Sequence, residues 1–149
     1  MRTLASLCLT LAVIGAGCAK NDTAPAEVVA GAAGGEVGPD GPTSIVLPDG
    51  LDAKVASADA KKGEELYASK GCKACHNLDG TKLVGPGFDG VSKRHSVAWM
   101  ARMVLKPEVM VKEDPAAKKL LGAYMTPMAN QMVNPETELP NILAFLKSK

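Results

Sequence analysis

The feature that most constrains this 149-residue chain is the run Cys72-Lys73-Ala74-Cys75-His76. Two cysteines separated by two residues and followed directly by a histidine form the signature of covalent haem attachment. This spacing sets the two thiols at the separation of the vinyl groups on one porphyrin edge, where each thiol adds as a thioether. His76 then lies beneath the iron and can supply an imidazole nitrogen. We therefore expect the chain to fold around a large, flat cofactor.

Two other chemistries use a pair of cysteines at this spacing. A disulfide redox centre normally sits in a βαβ pattern, and it leaves His76 unexplained. A zinc site requires four ligands, and His95 is the one obvious further candidate in the sequence. The haem hypothesis accounts for both thiols and for the histidine. It predicts one haem c, attached through Cys72 and Cys75.

The N-terminus has the features of an export signal. Arg2 precedes a short apolar run over residues 4–17, which is too short to span a bilayer. The small residues before Cys18 resemble the lipobox of bacterial lipoproteins, although Gly15 stands where that motif usually has leucine. The resemblance implies acylation at Cys18, export to the periplasmic side and a membrane anchor. Ordinary secretion, with cleavage for example after Ala19, is the alternative.

Composition divides the chain into three parts. Residues 1–17 are the predicted signal, and residues 18–57 are rich in Ala, Gly and Pro and contain no aromatic residue. We interpret residues 18–57 as a flexible tether that is dispensable for haem binding, since such a segment buries little apolar surface. Its one apolar run, residues 44–47, could lie against the domain that follows. Residues 58–149 form the predicted folded domain and hold every aromatic side chain.

The predicted domain has helical and no strand patterns. Asp59 is a candidate cap for the first helix, and Pro107 ends the second. Helices are predicted at residues 61–70, 97–105, 115–121 and 138–147. The fold class is therefore all-α, with three to four short helices packed around one covalent haem. Since aromatic residues make up only 3% of the chain, the cofactor itself is expected to fill much of the core.

Residues 58–149 resemble the class I cytochromes c, and the resemblance lies in two pairs of residues. Gly63 and Tyr67 before the motif match the glycine and aromatic residue of the family's first helix. Ile142 and Phe145 match their partners on the last helix. The resemblance implies the cytochrome c fold, in which these two helices cross at close range and glycine lets the backbones approach.

The same resemblance implies roles for two residues beyond the motif. The run Leu83-Val84-Gly85-Pro86 matches the family's loop after the motif, and the Pro86 carbonyl would accept a hydrogen bond from His76. Such a contact fixes the tautomer of a histidine ligand and raises its basicity. Trp99 resembles a buried indole near the haem propionates, and plain core packing is an equally good interpretation.

The resemblance also implies that the second axial ligand is a methionine from the loop before the last helix. Met128 lies 17 residues before Phe145, a spacing that the resemblance associates with the ligand. We therefore predict Met128, with Met125, Met132 and His95 as alternatives. His95 is otherwise interpreted as a surface residue.

The predicted function is that of an electron carrier and not of an enzyme. No acid–base constellation is visible, and no small-molecule substrate is required. Lys+Arg 17 against Asp+Glu 16 argues against nucleic acid as a partner. The expected partners are redox proteins such as a quinol-oxidising complex, a terminal oxidase or a reductase, together with the membrane through the lipid anchor. The alternatives are a haem enzyme or gas sensor with an open iron position, and a fixed electron-entry subunit of a larger complex.

Overall fold

The computed structural model describes residues 39–149, which belong to one compact unit. This part of the chain is helical and contains no strand. In order, its helices are α1 (Leu51–Ala56), α2 (Ala60–Ser69), a 3-10 turn (Cys72–Ala74), α3 (Val91–Arg94), α4 (Val97–Leu105), α5 (Pro107–Glu113), α6 (Pro115–Tyr124) and α7 (Leu139–Lys147). The all-α class is confirmed, with seven α-helices in the described residues where three to four were predicted.

The predicted signal, Cys18 and the first part of the predicted tether lie outside the described residues. Among residues 39–149, no helix combines the length and the apolar character that a membrane crossing requires.

Side-chain caps explain where α2 and α4 begin. Asp59 accepts hydrogen bonds from the backbone nitrogens of Lys61 and Lys62, at 2.9 and 3.2 Å. Ser96 accepts from the nitrogen of Trp99 at the start of α4, at 3.1 Å. Each cap satisfies amides that have no partner within the helix.

Helix α5 was not predicted from the sequence. Pro107 was interpreted as the end of α4, and it is also the first residue of α5. Proline suits that position because the first turn of a helix needs no backbone donor there. The same residue therefore ends one helix and starts the next.

Helices α2 and α7 cross at Gly63, as the resemblance implied. A Cβ atom on Gly63 would lie 2.0 Å from the carbonyl oxygen of Asn141 and 2.8 Å from the Cβ of Phe145. Beside this crossing, the rings of Tyr67 and Phe145 lie 5.6 Å apart. Ile142, like most of the apolar face of α7, is buried. The crossing holds together the first and last helices of the haem domain.

Residues 39–57, which we name the N-terminal strap, differ from the sequence-based expectation. They were predicted to belong to a flexible tether, and that prediction is wrong for this part of the chain. Ile45, Leu51 and Val55 are all buried in the core, and α1 packs against α7. Leu51 and Val55 are four residues apart, so they share one face of a helix that becomes stable when that face is covered.

Polar contacts also fasten the strap to the helical domain. The Arg102 guanidinium on α4 donates to the carbonyl oxygens of Asp40 and Ile45, at 2.6 and 3.2 Å. The Ser44 hydroxyl donates to the carboxylate of Glu113 at 2.7 Å. These contacts hold residues 40–45 of the strap, a segment rich in glycine and proline, against the helical domain.

Replacing Leu51 with alanine tests whether the strap supports the domain. We expect the free energy of unfolding to fall by about 2–3 kcal/mol, the usual cost of truncating a buried leucine. Val46→Ala is the matched control, because Val46 lies in the same strap and its side chain is 86% exposed. Equilibrium denaturation followed by circular dichroism measures both. Equal midpoints for the two variants would show that the strap contributes nothing to stability.

Candidate haem site

One cavity of about 390 Å³ brings together the residues that the sequence singled out. Its volume lies in the range of roughly 300–1,000 Å³ that is typical of small-molecule and cofactor sites. The cavity is bounded by the haem-attachment motif, the loop after it, α4, α6 and the loop before α7. The predicted site residues on its wall are Cys72, Cys75, His76, Pro86, Trp99 and Met128.

The motif reaches the cavity through a tight turn after α2. Gly71 has a φ of 77°, a left-handed conformation that glycine adopts without strain. The 3-10 turn follows at once, and the backbone nitrogen of His76 donates to the Cys72 carbonyl at 3.1 Å. The Tyr67 hydroxyl of α2 donates to the carbonyl of His76, and burial raises the pKa of Tyr67 to about 12. Helix α2 therefore fixes the position of the motif.

One nitrogen of the His76 ring makes a hydrogen bond, and the other remains available as a metal ligand. Its Nδ1 lies 2.8 Å from the carbonyl oxygen of Pro86. Because a carbonyl can only accept, Nδ1 must carry the proton, and Nε2 keeps the lone pair that a metal requires. The ring also stacks on Phe88, with centroids 4.6 Å apart. The hydrogen bond that the resemblance implied between His76 and Pro86 is present.

Burial lowers the pKa of His76, and the hydrogen bond to Pro86 opposes that effect. The lowered pKa favours the neutral imidazole, which is the form that ligates a metal ion. The close approach of the Pro86 loop depends on Gly85. A Cβ atom there would lie 2.6 Å from Cε1 of His76, so a larger residue would displace the ring.

Trp99 is buried, as expected, with 5% of its surface exposed. Its indole nitrogen donates to a carboxylate oxygen of Asp114 at 3.1 Å. Asp114 is 3% exposed, and the same oxygen caps α6 by accepting from the Ala117 nitrogen at 2.8 Å. Sequence reasoning missed Asp114, although an aspartate directly before Pro115 is a recognisable helix-start signal.

The interpretation of His95 as a surface residue is wrong. The ring is half-buried, lies on the cavity wall and stacks on Trp99 with a centroid distance of 3.7 Å. Burial lowers the pKa of His95, and Arg94 lowers it further, against the opposing charge of Asp114. The neighbouring Arg94, which suggested a surface site, gave no indication of this stacking.

The three candidate methionines occupy different environments. Met125 and Met132 are 81% and 85% exposed, and neither lines the cavity. Met128 is half-buried and lies on the cavity wall. The loop therefore directs only one of its three thioethers toward the space that His76 borders.

The residues that surround the cavity fit a covalently attached haem. Two thiols and an imidazole come from the motif, and a thioether, a soft ligand suited to haem iron, comes from Met128. Much of the remaining wall is apolar, as a porphyrin requires. The apolar residues include Val91, Met100, Met103, Val104, Leu120 and Leu121.

The model of the family described as Cytochrome c matches residues 60–149. The chain belongs to the cytochrome c family, and it binds haem c covalently through Cys72 and Cys75. The matched region begins just before Lys61, so the strap that packs on the domain precedes it.

The individual relatives that the chain matches are also cytochromes c. A cytochrome c-type cyt cy of Rhodobacter capsulatus is 48% identical over 44 residues, which are 30% of this chain and 22% of that protein. The cytochrome c2 of Rhodocyclus tenuis is 35% identical over 71 residues, 48% of this chain and 76% of that protein. The match thus spans less than a quarter of the first relative and about three quarters of the second. A cytochrome c from Rhodothermus marinus superposes with a TM-score of 0.57 and 31% identity, over 73% of this chain and 89% of that one.

Proposed function

We propose that this protein is a one-electron carrier whose haem c has His76 and Met128 as axial ligands. The observation that carries the proposal is the position of Met128, which shares the cavity wall with His76 and the two motif thiols. A haem with both axial positions filled by histidine and methionine cycles between ferrous and ferric iron, at a potential that methionine raises. No open coordination site is then left for a substrate.

The protein's own residues set up this site in three ways. The Pro86 carbonyl accepts a hydrogen bond from Nδ1 of His76 and so leaves Nε2 to act as a metal ligand. Asp114 holds the Trp99 indole in place. The apolar wall excludes water and lowers the dielectric around the cofactor, which also tunes its potential.

The place of action follows from the N-terminal sequence. An exported chain acylated at Cys18 would act at the periplasmic side, anchored to a membrane. Its partners would be redox proteins, such as a quinol-oxidising complex, a terminal oxidase or a reductase. Both haem attachment, which takes place outside the cytoplasm, and the export signal predicted at residues 1–17 support this proposal.

Replacing Met128 with alanine tests the axial ligand and the carrier function together. We expect the near-infrared charge-transfer band of sulfur-ligated ferric haem to disappear, the reduction potential to fall and the ferrous iron to bind carbon monoxide. Met125→Ala and Met132→Ala are the controls, and we expect both to keep the band because these side chains point away from the cavity.

Two results would contradict the proposal. If the band disappears in Met125→Ala or Met132→Ala and persists in Met128→Ala, the ligand is a different methionine. If the wild-type protein binds carbon monoxide readily, the iron has an open position, and an enzyme or gas sensor becomes the better interpretation.

A further inference from the structure

The segment that carries Met128 has little backbone support. In the described part of the chain, no backbone–backbone hydrogen bond involves residues 126–131. The segment leaves α6 at Met125, whose nitrogen still bonds to the Leu121 carbonyl at 2.8 Å. It rejoins the core at Val133, which is buried. Side chains must therefore determine how the intervening residues are held.

Both ends of this segment have an unusual backbone conformation. Met125 and Met132 have φ values of 55° and 51°, in the left-handed region that residues other than glycine rarely adopt. Both side chains are exposed, so their packing does not explain the conformation. At Met125 this conformation ends α6, as a left-handed residue often does at the C-terminus of a helix. At Met132 it ends no helix, and it persists where surrounding contacts impose it.

The Asn130 side chain makes two hydrogen bonds that help to hold this segment in place. Its Oδ1 accepts from the backbone nitrogen of Met132 at 2.8 Å, which closes the turn at the second left-handed residue. Its Nδ2 donates to the carbonyl oxygen of Leu105 at 2.9 Å. Leu105 is the last residue of α4, where helix carbonyls lack partners within the helix. One amide thus closes the loop's own turn and ties the loop to α4.

The other contacts of this segment are weaker or local. The Gln131 amide reaches the Ala129 carbonyl at 3.3 Å, within the segment itself. The Lys70 ammonium lies 3.5 Å from the Met132 carbonyl, at the limit of a hydrogen bond, and pairs with Glu138 at 2.7 Å. Among the described hydrogen bonds, the one that joins residues 126–131 to another element is the bond from Asn130 to the Leu105 carbonyl of α4.

We propose that Asn130 is a positioning residue, which fastens the Met128 loop to the end of α4 and so keeps the thioether at the iron. The inference rests on the proposed function, since it assumes that Met128 is the axial ligand. Its consequence is that Asn130, two residues from the ligand and without contact to the cofactor site, sets how often the sixth position opens.

Two substitutions separate the two contacts of Asn130. Asn130→Ala removes both. Asn130→Asp keeps an acceptor for the Met132 nitrogen and places a carboxylate against the Leu105 carbonyl, at the negative end of the α4 dipole. We expect both variants to bind carbon monoxide in the ferrous state about five to ten times faster than the wild type, the factor equivalent to one net hydrogen bond. The charge-transfer band should also be lost at a lower temperature than in the wild type.

The matched control is Asn134→Ala. Asn134 accepts from the nitrogens of Glu136 and Thr137, at 2.9 and 3.0 Å, in the turn before α7. The Asn134→Ala substitution should lower the unfolding temperature without changing the rate of carbon monoxide binding. An equal increase in rate for Asn134→Ala would mean that general destabilisation opens the iron, and it would overturn the proposal.

The remaining outcomes distinguish this inference from the proposed function. If Asn130→Asp behaves as the wild type, the tie to α4 has no role and the inference fails. If Asn130→Ala keeps the wild-type rate while Met128→Ala abolishes the band, the inference fails and Met128 remains the ligand. If Met128→Ala leaves the band intact, the proposed ligation fails, and the inference fails with it.

Discussion

Replacing Gly63 with alanine is expected to destabilise the protein by about 3 kcal/mol or more. The new Cβ would lie 2.0 Å from the carbonyl oxygen of Asn141 and 2.8 Å from the Cβ of Phe145. Neither atom is the mobile end of a side chain, so α2 and α7 must move apart. Overpacking at such a contact usually costs about 1–3 kcal/mol, and the cost is higher where the backbone itself is in the way. Chemical denaturation of the haem-loaded protein gives the value.

Gly122→Ala is the control for this prediction. Gly122 lies in α6, and a Cβ there meets no atom within 4 Å. Alanine should therefore stabilise the helix by about 0.5–1 kcal/mol, because glycine loses more backbone entropy on folding. If both alanines shift the unfolding midpoint alike, the close approach of α2 and α7 is not what requires glycine at position 63.

Replacing Gly85 with alanine is expected to disturb His76, the proposed haem ligand, directly. The added Cβ would lie 2.6 Å from Cε1 and 2.9 Å from Nδ1 of His76. The ring has little room to retreat, because it stacks on Phe88 and its Nδ1 bonds to the Pro86 carbonyl. We expect part of the haem to become high-spin as the bond to His76 weakens, together with a loss of stability of about 2 kcal/mol.

Visible spectra of the ferric and ferrous states, with thermal unfolding, measure both effects. Gly80→Ala is the matched control in the same loop. The atom nearest to the added Cβ would be the Cβ of Asp89, at 3.9 Å, so the substitution meets no clash. If Gly85→Ala has the same spectrum and stability as the Gly80→Ala control, the loop accommodates the added Cβ without displacing His76, and the prediction is wrong.

The sequence indicated the parts of the fold that local signals specify. The Cys72–His76 motif predicted the cofactor, and the cap at Asp59 predicted the start of α2. The strap was missed because its stability depends on contacts with residues far along the chain, such as that between Ile45 and Arg102. Glycine and proline in a short segment are compatible with both a tether and a set of fixed turns, and only tertiary contacts distinguish them.

Prediction of the site was limited for a similar reason. The distance along the chain from Phe145 favoured Met128, and the structure places that side chain on the cavity wall. The left-handed backbone at Met132 could not be predicted, because methionine has no intrinsic preference for it and a side chain elsewhere in the loop stabilises it. The indole of Trp99 was expected to be buried, but its partner Asp114 lies 15 residues further along the chain, and only the tertiary fold brings the two side chains together.

The strap has a consequence for how force on the N-terminal segment is transmitted. Arg102, which holds the strap, lies three residues after Trp99 on α4, and residues at this spacing share one face of a helix. Tension applied through the strap would therefore reach the helix that lines the cavity, and α4 is also the helix to whose last residue Asn130 ties the Met128 loop.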